Sequence, residues 1–135
     1  MPAHKKIKIL IVDDDPDDQF MLKKIFESVV PQVEIAIAFD GVECLEYLEA
    51  NQNNLPDLIT LDLNMPRVNG IEATQQIKNH TRFNTIPVVI LSTSHRENDK
   101  NFVLQSGAND YFTKHIIYED LQATVKEICG KWLGK

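Results

Sequence analysis

The sequence has few cysteines, a minority of basic residues and no long apolar run. Its two cysteines, Cys44 and Cys129, lack metal-ligand spacing, so we expect both to be reduced apolar residues of a cytoplasmic protein. Lys and Arg number 14 against 20 Asp and Glu, a net charge of −6, which argues against nucleic-acid binding because phosphate affinity needs clustered basic residues. The longest apolar run near the N-terminus, residues 9–12, is too short for a signal peptide or a membrane span.

Short apolar runs alternate with amphipathic segments along all 135 residues. The β-branched, nearly all-apolar runs predict buried strands, and the segments between them carry helical spacing and capping residues such as Asp15, Asp40 and Asn69. The predicted strands are 7–12, 33–38, 58–61, 87–91 and 111–112. Five such units predict an α/β domain, a flavodoxin-like (βα)5 doubly wound parallel sheet with strand order 2-1-3-4-5.

Polar residues follow the predicted strands at their carboxyl ends. Asp13, Asp14 and Asp15 follow the first strand, Asp62 follows the third, and Lys114 follows the fifth. Ser92, Thr93 and Ser94 follow the fourth. Because the carboxyl ends of parallel strands meet at one edge of the sheet, the predicted topology brings these residues together.

Such a gathering of acids predicts a metal site. Two carboxylates about 4 Å apart repel by roughly 4 kcal/mol at an effective dielectric of 20, so several in one crevice need a cation between them. Mg²⁺ prefers hard oxygen ligands and leaves positions for water and phosphate. The acids also stand where a flavin or dinucleotide site would have a glycine-rich loop, which argues against those cofactors.

The remaining residues at this edge indicate phosphoryl chemistry. Asp62 can act as a nucleophile toward phosphorus, while Lys114 and Ser92 can bind phosphoryl oxygens. No general base is evident, which favours a phosphoryl acceptor over a hydrolase. Each residue alone also has a structural interpretation: a turn former for Asp62, a surface lysine for Lys114. In the same way, Asp15, Asp17, Asp18 and Ser94 can be residues that stabilise helix N-termini.

Taken together, four motifs resemble the receiver domain of two-component response regulators. They are Val-Asp-Asp at 12–14, Leu-Asp-Leu-Asn-Met-Pro at 61–66 with Gly70, Leu-Ser at 91–92, and 107–114 from Gly-Ala through Tyr111 to Lys114. The resemblance covers about residues 7–130 and implies a single receiver domain over 1–135 with no output domain.

The resemblance implies a role for each matching residue. Asp62 is the expected phosphoacceptor and also a metal ligand. Asp14 would ligate Mg²⁺ directly and Asp13 through water, with the backbone carbonyl of Asn64 completing the ligands and Mn²⁺ able to substitute. Ser92 matches the switch hydroxyl of the family, and Lys114 matches its phosphate-binding lysine. Tyr111 matches the aromatic residue whose rotamer reports phosphorylation. Asn64 and Ser94 match the residues that tune the lifetime of the phosphate.

One position departs from the family pattern. His115 follows Lys114 where the family usually has proline, often with a cis peptide bond that is costly without proline, so we expect a different loop geometry there. The step from Lys114 to His115, the run 92–95 and the pair Trp132-Leu133 are similar to single-domain regulators paired with bacterial phytochrome kinases. This narrower resemblance implies a phytochrome-type kinase and a homodimer.

The sequence therefore predicts a stand-alone response regulator rather than an enzyme. A sensor histidine kinase would phosphorylate Asp62 with Mg²⁺, switching the face of the fourth helix, fifth strand and fifth helix for a downstream protein or onward transfer to a phosphotransfer protein. Two alternatives remain open: a degenerate receiver that binds partners without phosphorylation, and a Mg²⁺-dependent aspartyl-phosphate phosphohydrolase. Neither nucleic acid nor membrane is an expected partner.

Overall fold

A computed structural model describes residues 6–93 and 97–134, with the side chains of 97–99 outside the description. Five strands and five helices alternate through this part of the chain. The strands are β1 (Lys8–Val12), β2 (Glu34–Ala38), β3 (Leu58–Leu61), β4 (Val88–Ser92) and β5 (Asp110–Thr113). The helices are α1 (Pro16–Val29), α2 (Gly41–Ala50), α3 (Gly70–Lys78), α4 (Glu97–Gln105) and α5 (Tyr118–Trp132).

The five strands form one parallel sheet in the order β2-β1-β3-β4-β5. This confirms the predicted flavodoxin-like topology. Strand β3 has the predicted bounds, and each boundary of the other strands lies within one residue of its prediction. The length differs most at β5, which extends one residue beyond the two aromatic residues at 111–112 on each side because Asp110 and Thr113 also pair with β4. The helix cap predicted at Ser94 lies outside the described residues.

Alternation along the buried strands gives the sheet two apolar layers. Leu10, Ile59 and Ile90 face a layer completed by α2, α3 and α4, whereas Ile11 and Val89 face the layer that α1 and α5 cover. Cys44 lies in the first layer and Cys129 in the second, both buried and unpaired. No described helix has the length and apolar character needed to cross a membrane.

Helix α1 begins where the sequence predicts it. Asp15 precedes the helix, and its Oδ1 accepts hydrogen bonds from the backbone N–H groups of Asp17 at 2.8 Å and Asp18 at 3.3 Å. Pro16 occupies the first turn, where its missing N–H costs nothing. These interactions set the direction in which α1 leaves the carboxyl end of β1.

A buried lysine starts β1. Lys8 is only 3% exposed, and its Nζ donates to the carbonyl of Asn54 at 2.9 Å and pairs with Glu34 at 3.6 Å. The backbone N–H of Lys8 donates to Asp57 Oδ2 at 2.9 Å. The ammonium group is thus satisfied at the edge of the sheet opposite to the carboxyl ends of the strands.

Thr60 in β3 tests what an unsatisfied buried hydroxyl group costs in the stability of the sheet. Its Oγ1 is buried and has no hydrogen-bond partner within the described residues, and it lies in β3 between Ile11 and Val89. Because Val has the same shape without the unsatisfied hydroxyl, Thr60→Val is expected to raise the free energy of unfolding by about 1 kcal/mol in urea denaturation.

The matched control for this substitution is Thr74→Val. The Thr74 hydroxyl donates to the carbonyl of Gly70 at 2.7 Å, so its removal is expected to bring no such gain. Equal effects of the two substitutions would show that the unsatisfied hydroxyl of Thr60 costs nothing.

Candidate functional site

The sheet brings three predicted site residues together through its backbone ladder. Asp13 follows β1, and its N–H donates to the carbonyl of Ala38 at 3.1 Å. Asp62 follows β3 and donates to Val12 at 2.9 Å, while Lys114 follows β5 and donates to Ser92 at 2.8 Å. Each residue is therefore held by the neighbouring strand, which fixes where its side chain starts.

The side chains of Asp13, Asp14 and Asp62 form one acidic cluster. A carboxylate oxygen from each lies within 4.8 Å of those of the other two. Asp13 is 2% exposed, and the other two are half-buried. The convergence expected from the strand order is what the structure has, and the donor set consists only of hard oxygens, the type that Mg²⁺ and Mn²⁺ prefer.

Lys114 supplies the positive charge beside this cluster. Its Nζ lies 2.8 Å from Asp13 Oδ2, 2.8 Å from Asp18 Oδ2 and 3.4 Å from Asp62 Oδ2. The lysine side chain is only 7% exposed. Lys114 is therefore a buried cation held by three carboxylates. The alternative interpretation of Lys114 as a surface lysine does not agree with this burial.

One lysine does not balance the acids. Burial raises the pKa of Asp13 to about 6, although hydrogen bonds from Lys114 and the Asp15 N–H oppose the rise. Burial likewise raises the pKa of Asp62, against the charge of Lys114 and with a contribution from the charge of Asp14. Burial alone would lower the pKa of Lys114, but its hydrogen bonds to Asp13 and Asp18 raise it. The ionised carboxylates are thus under-compensated, and the cluster fits a divalent cation.

The other predicted residues lie around this cluster at different depths. Ser92 is fully buried at the end of β4, and Tyr111 is 8% exposed and points into the layer with α2, α3 and α4. Asn64 is exposed in the loop after β3, and its backbone N–H contributes to lowering the pKa of Asp62. His115 is exposed, and its peptide bond to Lys114 is trans, as are all peptide bonds of the described residues. Ser94 lies outside those residues.

Two residues in α1 also reach the site, and the sequence analysis missed their part in it. Asp18, assigned only to the helix N-terminus, extends its carboxylate to Lys114, and the side-chain amide of Gln19 donates to the backbone carbonyl of Asp13. The capping pattern at Asp15 already locates both in the first turn after β1. What it does not give is the direction of each side chain across the strand ends.

The loop between β3 and α3 contains Arg67, whose side chain pairs with Asp40 at the start of α2. Its Nε lies 2.6 Å from Asp40 Oδ2 and its Nη2 lies 3.1 Å from Asp40 Oδ1. Arg67 has a φ of 64°, a left-handed conformation uncommon for a residue with a side chain. The Gly41 N–H donates to the carbonyl of Val68 at 3.1 Å, and a Cβ on Gly41 would lie 2.3 Å from that oxygen. The loop that follows Asp62 is therefore attached to the start of α2.

Comparison with known proteins now identifies the family. The family model described as the response regulator receiver domain matches residues 9–126. The chain belongs to this family. The resemblance inferred from the four sequence motifs is thereby confirmed.

Individual relatives match nearly the whole receiver domain. Probable methanogenesis regulatory protein FilR2 of Methanothrix harundinacea is 36% identical, covering 99% of this chain and 88% of that protein. Response regulator Rcp1 of Synechocystis sp. is 33% identical, covering 93% of this chain and 88% of that protein. These relatives are similar to the chain over nearly its full length and over most of their own.

Solved structures support the same relationship. The phosphorylated cyanobacterial phytochrome response regulator RcpA matches with a TM-score of 0.88 at 34% identity, covering 96% of this chain and 95% of that one. The Mn²⁺-bound form of Rcp1 matches with a TM-score of 0.83 at 33% identity, covering 94% of each chain. Both are response regulators with the fold described above.

The raised pKa of Asp13 predicts a pH dependence of stability in the absence of divalent cations. The unfolded chain releases this proton near pH 3.8, whereas the folded protein retains it up to about pH 6. The stability contributed by this group is therefore present in acid and lost as the pH rises through 6. From about pH 4.5 to pH 7, the free energy of unfolding of the wild type should fall by about 2 kcal/mol relative to that of Asp13→Asn.

Urea denaturation in the presence of a chelator measures this difference. Comparison with Asp13→Asn cancels the titration of every other group that the substitution leaves unchanged. A difference between the two proteins that does not vary with pH would show that Asp13 ionises normally in the folded receiver domain.

A second prediction concerns the ion pair that holds the loop after Asp62. Asp40→Asn keeps a good helix cap but loses the charge that pairs with Arg67, whereas Asp40→Ala loses both. Asp40→Ala should therefore be less stable than Asp40→Asn by about 1 kcal/mol in urea denaturation.

Adding Arg67→Ala separates the two contributions. It should destabilise the wild type and have little further effect in the Asp40→Asn background, because the ion pair is already lost there. Additive effects in the two backgrounds would mean that Arg67 stabilises the loop without Asp40.

Proposed function

We propose that this receiver domain is a phosphorylation switch that accepts a phosphoryl group on Asp62 from the phosphohistidine of a sensor histidine kinase. The observation that carries the proposal is the arrangement around Asp62. Its carboxylate lies in the acidic cluster with Asp13 and Asp14, and its Oδ2 lies 3.4 Å from the ammonium of Lys114. The carboxylate of Asp62 thus belongs to the candidate cation site and also adjoins the ammonium of Lys114.

In the proposed step, a carboxylate oxygen of Asp62 attacks phosphorus. The O–P bond forms as the P–N bond of phosphohistidine breaks, and the imidazole nitrogen keeps the electron pair of that bond. Lys114 donates hydrogen bonds to the transferred phosphoryl oxygens, and the hydroxyl of Ser92 is the second donor. The ammonium of Lys114 is already 3.4 Å from Asp62 Oδ2, so a small shift brings it to these oxygens.

The same step calls for a divalent cation at the acidic cluster. Asp13, Asp14, Asp62 and the backbone carbonyl of Asn64 would hold Mg²⁺, or Mn²⁺ in its place. When bound, the ion neutralises negative charge on the phosphoryl group and on the carboxylates around it. The under-compensated carboxylates support this proposal, as does the Mn²⁺-bound structure of Rcp1, which is 33% identical to this chain.

The proposed output is a change of the face formed by α4, β5 and α5. Ser92 and Lys114 would move toward the new phosphoryl group, and Tyr111 would repack behind Ser92. A shift of the active form from 1:99 to 99:1 needs about 5.5 kcal/mol, which a few charge-assisted hydrogen bonds can supply. Asn64 and Ser94 are the proposed tuners of phosphate lifetime.

For the partners, we propose a phytochrome-type sensor histidine kinase as donor and a downstream protein or phosphotransfer protein as recipient of the signal. The 34% identity to the phytochrome response regulator RcpA supports the first. Three further expectations stay predictions. They are that the protein acts as a single domain with a core at about 7–130, that it forms a homodimer, and that it is cytoplasmic. The residue two positions after Asp62 is Asn64, not the second acid that a phosphohydrolase would be expected to use.

Intact-mass measurement tests the proposal directly. The protein is incubated with Mg²⁺ and acetyl phosphate, a small-molecule donor whose O–P bond breaks with release of acetate. We expect the wild type to gain one phosphoryl group and Asp62→Asn to gain none. Asp57→Asn is the matched control, because Asp57 is exposed at the opposite end of β3 and should leave the phosphorylation intact.

Three results would contradict the switch. A folded wild type that gains no phosphoryl mass would favour the degenerate receiver. Phosphorylation that persists in Asp62→Asn would locate the acceptor elsewhere. Sustained release of phosphate from phosphate esters that is lost in Asp62→Asn would favour the phosphohydrolase.

A further inference from the structure

Lys114 contacts a carboxylate that has no part in the proposed phosphoryl transfer, that of Asp18. Its ammonium contacts Asp13, Asp18 and Asp62, as many carboxylates as it has N–H groups. The distances to Asp13 and Asp18 are both 2.8 Å, shorter than the 3.4 Å to Asp62. In this state the lysine is therefore held most closely by two residues other than the proposed phosphoacceptor.

The three partners differ in how readily each can give up the lysine. The side chain of Asp18 is 38% exposed, compared with 2% for Asp13 and 12% for Asp62. Water can therefore replace Lys114 at Asp18, whereas loss of Lys114 would leave a buried charge at Asp13. Asp18 also lies outside the acidic cluster of Asp13, Asp14 and Asp62, so a cation there would not bind it.

We propose that Asp18 is a resting-state counter-ion of Lys114 that competes with the phosphoryl group for its ammonium. This inference rests on the proposed function of Asp62. When a phosphoryl oxygen arrives at Asp62, Lys114 turns its N–H from Asp18 to that oxygen, and Asp18 passes to water. Asp18 is thus a positioning residue, and its ion pair lowers the affinity of the site for a phosphoryl group.

The chain contains a matched control for this residue. Asp17 is its neighbour in the first turn of α1, and both backbone N–H groups donate to Asp15 Oδ1. Asp17 is exposed, and no ion pair of its side chain occurs in the described part of the chain. Asp17→Asn and Asp18→Asn therefore make the same change in net charge and similar changes at the helix N-terminus, but only the second removes a partner of Lys114.

Beryllium fluoride, which mimics a phosphoryl group on a carboxylate, provides the test. Its dissociation constant at saturating Mg²⁺ is measured by isothermal titration calorimetry for the wild type and both variants. Asp18→Asn should bind it about threefold or more tightly than Asp17→Asn, as expected for loss of a partly exposed ion pair. Asp18→Glu, which keeps the charge, should return the affinity toward that of the wild type.

The outcomes separate this inference from the proposed function. Equal or weaker binding by Asp18→Asn relative to Asp17→Asn would overturn the competition. A folded wild type that binds no beryllium fluoride at all would instead overturn the role of Asp62.

Discussion

The candidate site of this receiver domain is defined by an imbalance of charge at the carboxyl ends of its strands. Asp13, Asp14 and Asp62 share a small space, and Lys114 is the cation that the described residues place among them. One ammonium cannot neutralise three carboxylates, and burial makes the remaining negative charge more costly. The cluster consequently fits a cation.

Backbone hydrogen bonding keeps this unfavourable arrangement in place. Asp13, Asp62 and Lys114 each donate a backbone N–H to an adjacent strand, and those strands are buried in two apolar layers. The ladder and the layers resist the tendency of like charges to separate. The ion pair between Arg67 and Asp40 holds the loop after Asp62 in a similar way, from outside the site.

The sequence was sufficient to predict the topology and the gathering of the strand-end residues. Buried parallel strands have continuous apolar runs, and the order of such strands determines which of their ends meet. It was not sufficient for contacts that depend on the direction of a side chain. The capping pattern locates Asp18 in α1, but its reach to Lys114 depends on how the helix lies over the sheet. Arg67 likewise pairs with a residue 27 positions away through a left-handed backbone that local pattern does not predict.

Strand β1, which lies between β2 and β3 in the sheet, has a buried charged residue at each end. Lys8 begins β1 and is paired with Glu34 near one edge of the sheet, and Asp13 follows β1 and is paired with Lys114 at the other. A slip of this strand in either direction would draw one of these ions away from its partner and into the apolar layers. Since an unpaired ion is far more costly there than a lost apolar contact, alternative alignments of β1 are disfavoured. The two buried ions thus favour one alignment of β1, and a residue of the acidic cluster also contributes to the specificity of the fold.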